Sequence, residues 1–313
     1  MQQSPQDSHR GNIRVMSLRE FEIVGRQGDG RGLLRMPDRE QVTGGIVALH
    51  GARLPSREQP LFEHLADTLV PLGFAVLSYD RRPSPDGGDV PFDAQADDAL
   101  AAVTALRAEI GAPVGLFGFS QGAWAAAVAA ARSDDVAFLA LVGCSGVSPA
   151  VQMRYYTDEQ LRRGGYNDAD RAEQLAARLA LEQVVRYGTG REDATAALSA
   201  ARTKPWFDLA YLPASLPSGE ISWPDMDFDP APIYARVTCP VLLIYGEDED
   251  CIPAGASEDV WRRAAEVSGN ADLTIVDVPG CGHFPSRSST ATGRADISPA
   301  YSDILTEWFL GIR

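Results

Sequence analysis

Two hydrophobic patterns alternate along the chain. Short unbroken apolar runs read as strands, and stretches with apolar positions every three to four residues read as helices. The strand-like runs are "GGIVALHG" (44–51), "FAVLSYD" (74–80), "PVGLFGFS" (113–120), "VAFLALVGC" (136–144), "PVLLIYG" (240–246) and "DLTIVDVPG" (272–280). Between them lie "LFEHLADTLVPLG" (61–73), "DAQADDALAAVTALRAEIG" (93–111) and "QGAWAAAVAAAR" (121–132), with further helical pattern around 256–267 and 298–310. The second of these begins with Asp93 and ends at Gly111, residues suited to the two ends of a helix. "IRVMSLREFEIV" (13–24) and "RGLLRMP" (31–37), joined by a glycine-rich turn, predict an opening hairpin. Continuously apolar strands separated by helices predict a mostly parallel, doubly wound α/β sheet covered on both faces.

The alternation stops between 151 and 235. There a helical pattern, "DADRAEQLAARLALEQVVRYG", gives way to a Pro- and Trp-rich stretch. Ligands of open α/β sheets bind at the carboxyl edge of the strands, so this insertion reads as a helical lid over that edge. A structural excursion packed elsewhere is the competing reading. The organisation expected is a tail over 1–12, a core over 13–150, the lid over 151–235 and the rest of the core over 236–313.

Composition narrows the partners. The chain has 313 residues, 45% hydrophobic and 23% charged, which suits one large α/β domain with an insertion. Its formal charge of −15 argues against a nucleic-acid surface and against attraction to anionic membranes. No apolar run reaches the roughly 18 residues of a membrane span. The polar start "MQQSPQDSHRGN" reads as a disordered tail and not a signal peptide. Cys144, Cys239, Cys251 and Cys281 show no C-x-x-C spacing. They read as reduced thiols of a cytoplasmic protein, with a disulfide or metal between Cys251 and Cys281 left open.

Candidate chemistry centres on "GLFGFSQGAW" (115–124). Ser120 stands between Gly118 and Gly122 where a strand meets a helix. A G-x-S-x-G at such a junction fits a nucleophile elbow, a sharp turn that exposes the hydroxyl above the sheet. The Gln121 amide would then face the reacting oxygen. An ordinary turn with a chance match is the alternative. A serine needs a base. Of four histidines, His9 lies in the tail, His50 ends a strand, and His64 falls mid-helix on its polar side. His283, in "VPGCGHFP" after the last strand, is the one placed to meet Ser120. An acid is expected after "PVLLIYG", where the loop offers Glu247, Asp248, Glu249 and Asp250.

The His-Gly after the third strand, the G-x-S-x-G, the acidic loop closed by Pro253 and "GCGHF" together resemble the α/β-hydrolase superfamily over about 44–311. The closer likeness is to bacterial dienelactone hydrolase-like and prolyl-oligopeptidase-like serine esterases, to which "KPWF" and "DPAPIYARVTCPVLLIYGE" are also similar. The resemblance implies a triad of Ser120, His283 and an acid three residues after the strand-ending Gly246. That position is Glu249, where the family usually has Asp, and Asp250 and Asp248 are the alternatives. It implies an oxyanion hole of the Gln121 and Ala52 amides, with Arg53 the alternative to Ala52. It implies hydrolysis of a small-molecule ester or thioester through an acyl-enzyme, with no metal or cofactor. Serine at the elbow sets the chain apart from dehalogenases and epoxide hydrolases of this fold, which use Asp. An acyltransferase, thioesterase or lyase on the same fold, or a non-catalytic binding protein, are the alternative functions. For substrate binding the candidates are Arg53, Tyr155 and Trp206. Arg57, Arg81 and Arg82 share the sheet edge with Arg53, and Tyr156, Tyr211 and Trp223 would either build a pocket or form the lid's own core. A homodimer is left open.

Overall fold

The computed structural model describes residues 16–24, 30–38, 42–52, 56–84, 89–219, 221–287 and 292–312. The tail over 1–12 and part of the hairpin turn lie outside them. Eight strands form one sheet: β1 (Met16–Glu22), β2 (Arg31–Pro37), β3 (Gly44–Leu49), β4 (Phe74–Tyr79), β5 (Val114–Phe119), β6 (Val136–Val142), β7 (Val241–Gly246) and β8 (Leu273–Val278). Their spatial order is β1-β2-β4-β3-β5-β6-β7-β8. β1 and β2 run antiparallel to each other, and β2 to β4, while β3 to β8 are parallel.

Apolar runs and strand position agree. β3, β4 and β7 are buried at every residue, as strands covered on both faces must be. β1 and β8, at the two edges, carry exposed and half-exposed residues. Helices α1 (Pro60–Leu69) and α9 (Pro299–Gly311) bury Leu61, Phe62, Leu65, Leu305 and Phe309 against one face. The other face packs α2 (Phe92–Ile110), α3 (Gln121–Ala130) and α8 (Ala254–Ser268), through Ala99, Leu106, Trp124 and Trp261 among others. Each large side chain so buried contributes about 1.5–3 kcal/mol. α2 ends on Gly111 in the left-handed conformation, which a Cβ disfavours. His64 is not on a solvent face: its ring lies 5.8 Å from that of Tyr301, and its Nε2 is 2.9 Å from Ser302 Oγ, tying α1 to α9.

Between β6 and β7 the described chain adds no strand. It forms α4 (Pro149–Arg163), α5 (Asp168–Tyr187), α6 (Arg191–Ala201) and the short α7 (Ala231–Tyr234). Ser148 caps α4, accepting from Val151 N, and Asn167 caps α5, accepting from Ala169 N and Asp170 N. The first three helices enclose a small core of Leu161, Ala177, Ala201, Trp206 and Ala210. The end of the segment belongs elsewhere. Tyr234 of α7 is buried in the sheet's core, stacked on Trp261 with ring centroids 3.9 Å apart. The last residues of the 151–235 segment thus pack with the sheet's core.

Candidate active site

In a parallel sheet all strands end on the same side, so the loops after β3, β5, β6, β7 and β8 share one edge. The order reverses between β3 and β5: β4 lies beyond β3 on one side and β6 beyond β5 on the other. The loops diverge there and leave a crevice. Ser120 sits at the end of β5, in that crevice.

Ser120 has φ of 53°, a left-handed conformation costly for a residue with a Cβ. The glycines on either side allow it. A Cβ on Gly118 would come within 2.6 Å of the Ala123 Cα, and one on Gly122 within 2.5 Å of the Leu49 carbonyl oxygen. α3 can thus start directly after Ser120, and its first amides, Gln121 among them, have no acceptor within the helix.

His283, in the loop after β8, reaches Ser120 Oγ with Nε2 at 2.9 Å. Its Nδ1 lies 3.0 and 3.1 Å from the two carboxylate oxygens of Glu249. Glu249 is 8% exposed, and its Oε1 also accepts from the amides of Cys251 and Ile252 at 2.9 and 3.3 Å. The remaining acids of the run go elsewhere. Glu247 accepts from Gly280 N, Asp250 from Gln160 Nε2, and Asp248 meets Cys281 and Arg163 through its backbone. Burial disfavours a charged His283, but the acidic groups of Cys251 and Glu249 outweigh it and hold the pKa well above its usual value.

Ala52, after the His50-Gly51 pair, lines the same cavity as Ser120. Arg81 ties the two parts of the candidate oxyanion hole together: Nη1 donates to Gln121 Oε1 and Nη2 to the Ala52 carbonyl. Burial lowers the Arg81 pKa. It also pushes His50 down to about 4, aided by Arg81, so that ring is neutral at pH 7.

The cavity above Ser120 has a volume of about 500 Å³. Phe119, Trp124 and His283 line it on the sheet side, and Gln152, Met153, Tyr156, Tyr211, Trp223 and Asp225 from the segment between β6 and β7. Helix α4 also grips the acid loop, with Gln152 Nε2 donating to the Cys251 carbonyl at 2.6 Å and Gln160 to Asp250 at 3.1 Å. The sequence reading did not single out these glutamines; the helix that follows β6 was their only signal.

Two substrate-binding expectations need correction. Trp206 is fully buried in the cap's own core, away from the cavity lining. Tyr155 does not line the cavity either; its neighbour Tyr156 does. Arg53 lies outside the described residues. Arg57 pairs with Glu20 and Asp80, and Arg82 with the buried Asp98, so both serve as ties between elements. All four cysteines are free thiols. Among the described residues no three or more His, Cys, Asp or Glu side chains cluster as metal ligands do, and no helix is long and apolar enough to cross a membrane.

Gly143, at the end of β6, was also missed. Its φ is +61°, and a Cβ there would lie 2.6 Å from His283 Cε1. Gly143→Ala is expected to displace the imidazole and lower any turnover at Ser120 about hundredfold, the scale of a 1 Å misplacement. Turnover measured beside thermal unfolding checks this; a folded variant of full activity contradicts it.

A family model described as "Alpha/beta hydrolase family" matches residues 46–293. Proline iminopeptidase from Mycobacterium smegmatis superposes with a TM-score of 0.55 at 15% identity, covering 95% of this chain and 98% of that one. Est1E from Butyrivibrio proteoclasticus gives 0.53 at 17%, covering 94% and 98%. Dienelactone hydrolase from Anabaena variabilis gives 0.52 at 18%, covering 95% and 98%. At these identities the likeness is one of fold. No curated protein matches the chain.

Proposed function

The chain belongs to the alpha/beta hydrolase family, and from that footing we propose that it is a serine hydrolase cleaving a carboxylic ester or thioester of a small molecule. One observation carries the reading: Oγ of Ser120, both nitrogens of His283 and the Glu249 carboxylate form an unbroken hydrogen-bonded line at 2.9 and 3.0 Å. A positioned base makes the serine hydroxyl a nucleophile, and a buried acid fixes the base in the needed tautomer.

In the proposed cycle Ser120 Oγ attacks the carbonyl carbon while its proton passes to Nε2 of His283. The Gln121 and Ala52 amides hold the developing oxyanion, the largest single electrostatic contribution in such sites. The bond to the leaving oxygen or sulfur breaks as the imidazolium returns the proton to it. Water then gives a proton to the same Nε2 and adds to the acyl-enzyme. Collapse releases the acid and restores the Ser120 hydroxyl. Glu249 stays ionised throughout and stabilises the imidazolium. A cavity of about 500 Å³ is in the range of small-molecule sites.

A fluorophosphonate probe tests the reading. Covalent labelling confined to Ser120, located by mass spectrometry and absent in Ser120→Ala, is the expected result. An unlabelled, folded protein would overturn it in favour of a non-catalytic binding role.

A further inference from the structure

Two non-glycine residues among those described have left-handed backbone: Ser120, with φ of 53°, and Tyr211, with φ of 51°. Both line the same cavity. Such a conformation is strained and persists only where the surroundings enforce it. Glycine or asparagine would take the same path with less strain, so a mere turn at 211 gives no reason for tyrosine. Nor does core packing: Tyr211 is 51% exposed.

Arg178 of α5 enforces the conformation. It is 4% exposed, and its Nη2 donates to the carbonyls of both Ala210 and Tyr211, at 2.8 and 2.7 Å. Its Nε has no hydrogen-bond partner in the described structure. Burial pushes the guanidinium down to about 10, with Arg154 adding to the shift and Glu182 opposing it, so it stays charged at pH 7. A buried charge held by two consecutive carbonyls forms strong charge-assisted bonds. They fix the chain on both sides of the Tyr211 α-carbon, and Ala210 is anchored in the cap's core. The Tyr211 ring meets that of Tyr156 edge-on, with centroids 6.3 Å apart, and the pair forms part of the cavity wall on the cap side.

We propose that Tyr211 is a specificity-determining residue, a rigid stop that limits how far a substrate chain extends under the cap, and that Arg178 is the positioning residue that holds it there. The proposal rests on the hydrolase reading above and names a substrate class for it: esters whose apolar chain ends at the Tyr156–Tyr211 pair.

The test uses the full chain and p-nitrophenyl acetate, butyrate, octanoate and dodecanoate. The quantity read is kcat/KM for the long esters relative to acetate. Tyr211→Gly keeps the positive φ without strain and removes the whole side chain. It is expected to raise the long-to-short ratio about tenfold or more, the scale at which a hydrophobic pocket discriminates chain size. Arg178→Met should move the ratio in the same direction, and Arg178→Lys should restore part of it, which a purely structural role would not produce. If Arg178→Met fails to fold, the Tyr211→Gly ratio decides alone. An unchanged or lowered ratio in Tyr211→Gly overturns the proposal. A wild-type protein that labels at Ser120 keeps the hydrolase reading standing in that case. A wild-type protein that neither labels nor turns over any ester overturns both.

Discussion

Ser120→Ala is expected to lower kcat for p-nitrophenyl acetate by at least about 10⁴-fold, as loss of the triad nucleophile does in a serine protease. The substitution removes one oxygen and nothing else. Alanine meets the same left-handed strain at φ 53° that serine does, and the glycine clearances at 118 and 122 are untouched. Thermal unfolding should therefore stay close to that of the parent. What is lost is the partner of His283 Nε2, so the imidazole has no proton to take. A folded Ser120→Ala protein with undiminished turnover would end the serine-hydrolase reading.

The second large effect is expected at Glu249. Its Oε1 accepts from two backbone amides and lies against Nδ1 of His283. In Glu249→Gln one end of the side chain becomes an NH₂ group, which must face another donor on one side or the other. In a serine protease the corresponding Asp→Asn exchange costs about 10⁴ in turnover. Asp248→Asn and Asp250→Asn, whose carboxylates lie away from the imidazole, should lose less than about tenfold by comparison. The pH profile adds a second reading. His283 works as base only when unprotonated, so activity falls as pH drops through its pKa. Glu249 raises that pKa. Removing the charge lowers it, and the acid limb of kcat/KM should move to lower pH. The stability linkage has the opposite sense. A raised histidine pKa stabilises the fold fully below its unfolded value and loses that contribution as pH rises through the folded one. Urea midpoints of parent and Glu249→Gln should thus differ most in acid and converge in alkali. An unshifted acid limb would show that Glu249 does not set the base.

Most of the frame was legible because the sheet is buried on both faces. β3, β4 and β7 have no polar alternation to blur them, and the helices between keep their own period. Ser120 was legible through its two glycines, and the reason lies in atoms: Ala123 and the Leu49 carbonyl occupy the space a side chain would need. The four consecutive acids were harder. Their charges are alike, and what separates Glu249 is a turn in which its amide donates to the Gly246 carbonyl. Composition does not reveal that turn. The cap was the least legible part. Tyr155 and Tyr156 differ by one position, but one position is about 100° around a helix. Trp206 is as apolar as Trp223, yet it faces the three-helix core and not the cavity. A sequence in which the cap's core and the cavity both recruit aromatics gives no sign of which side each residue takes.

The insertion starts at α4 and ends before α7, and its two ends are hydrogen-bonded to each other, Ala150 N donating to the Met226 carbonyl at 2.9 Å. The two splice points are therefore already adjacent, whatever the length of chain between them. Doubling a flexible loop adds only about 0.6 kcal/mol to the cost of joining its ends. Lengthening, shortening or exchanging this segment thus asks almost nothing of the sheet that carries Ser120, Glu249 and His283. The walls of the cavity are open to replacement while the frame that holds these three side chains stays put, so a lineage carrying this fold can change what it admits without rebuilding what meets it.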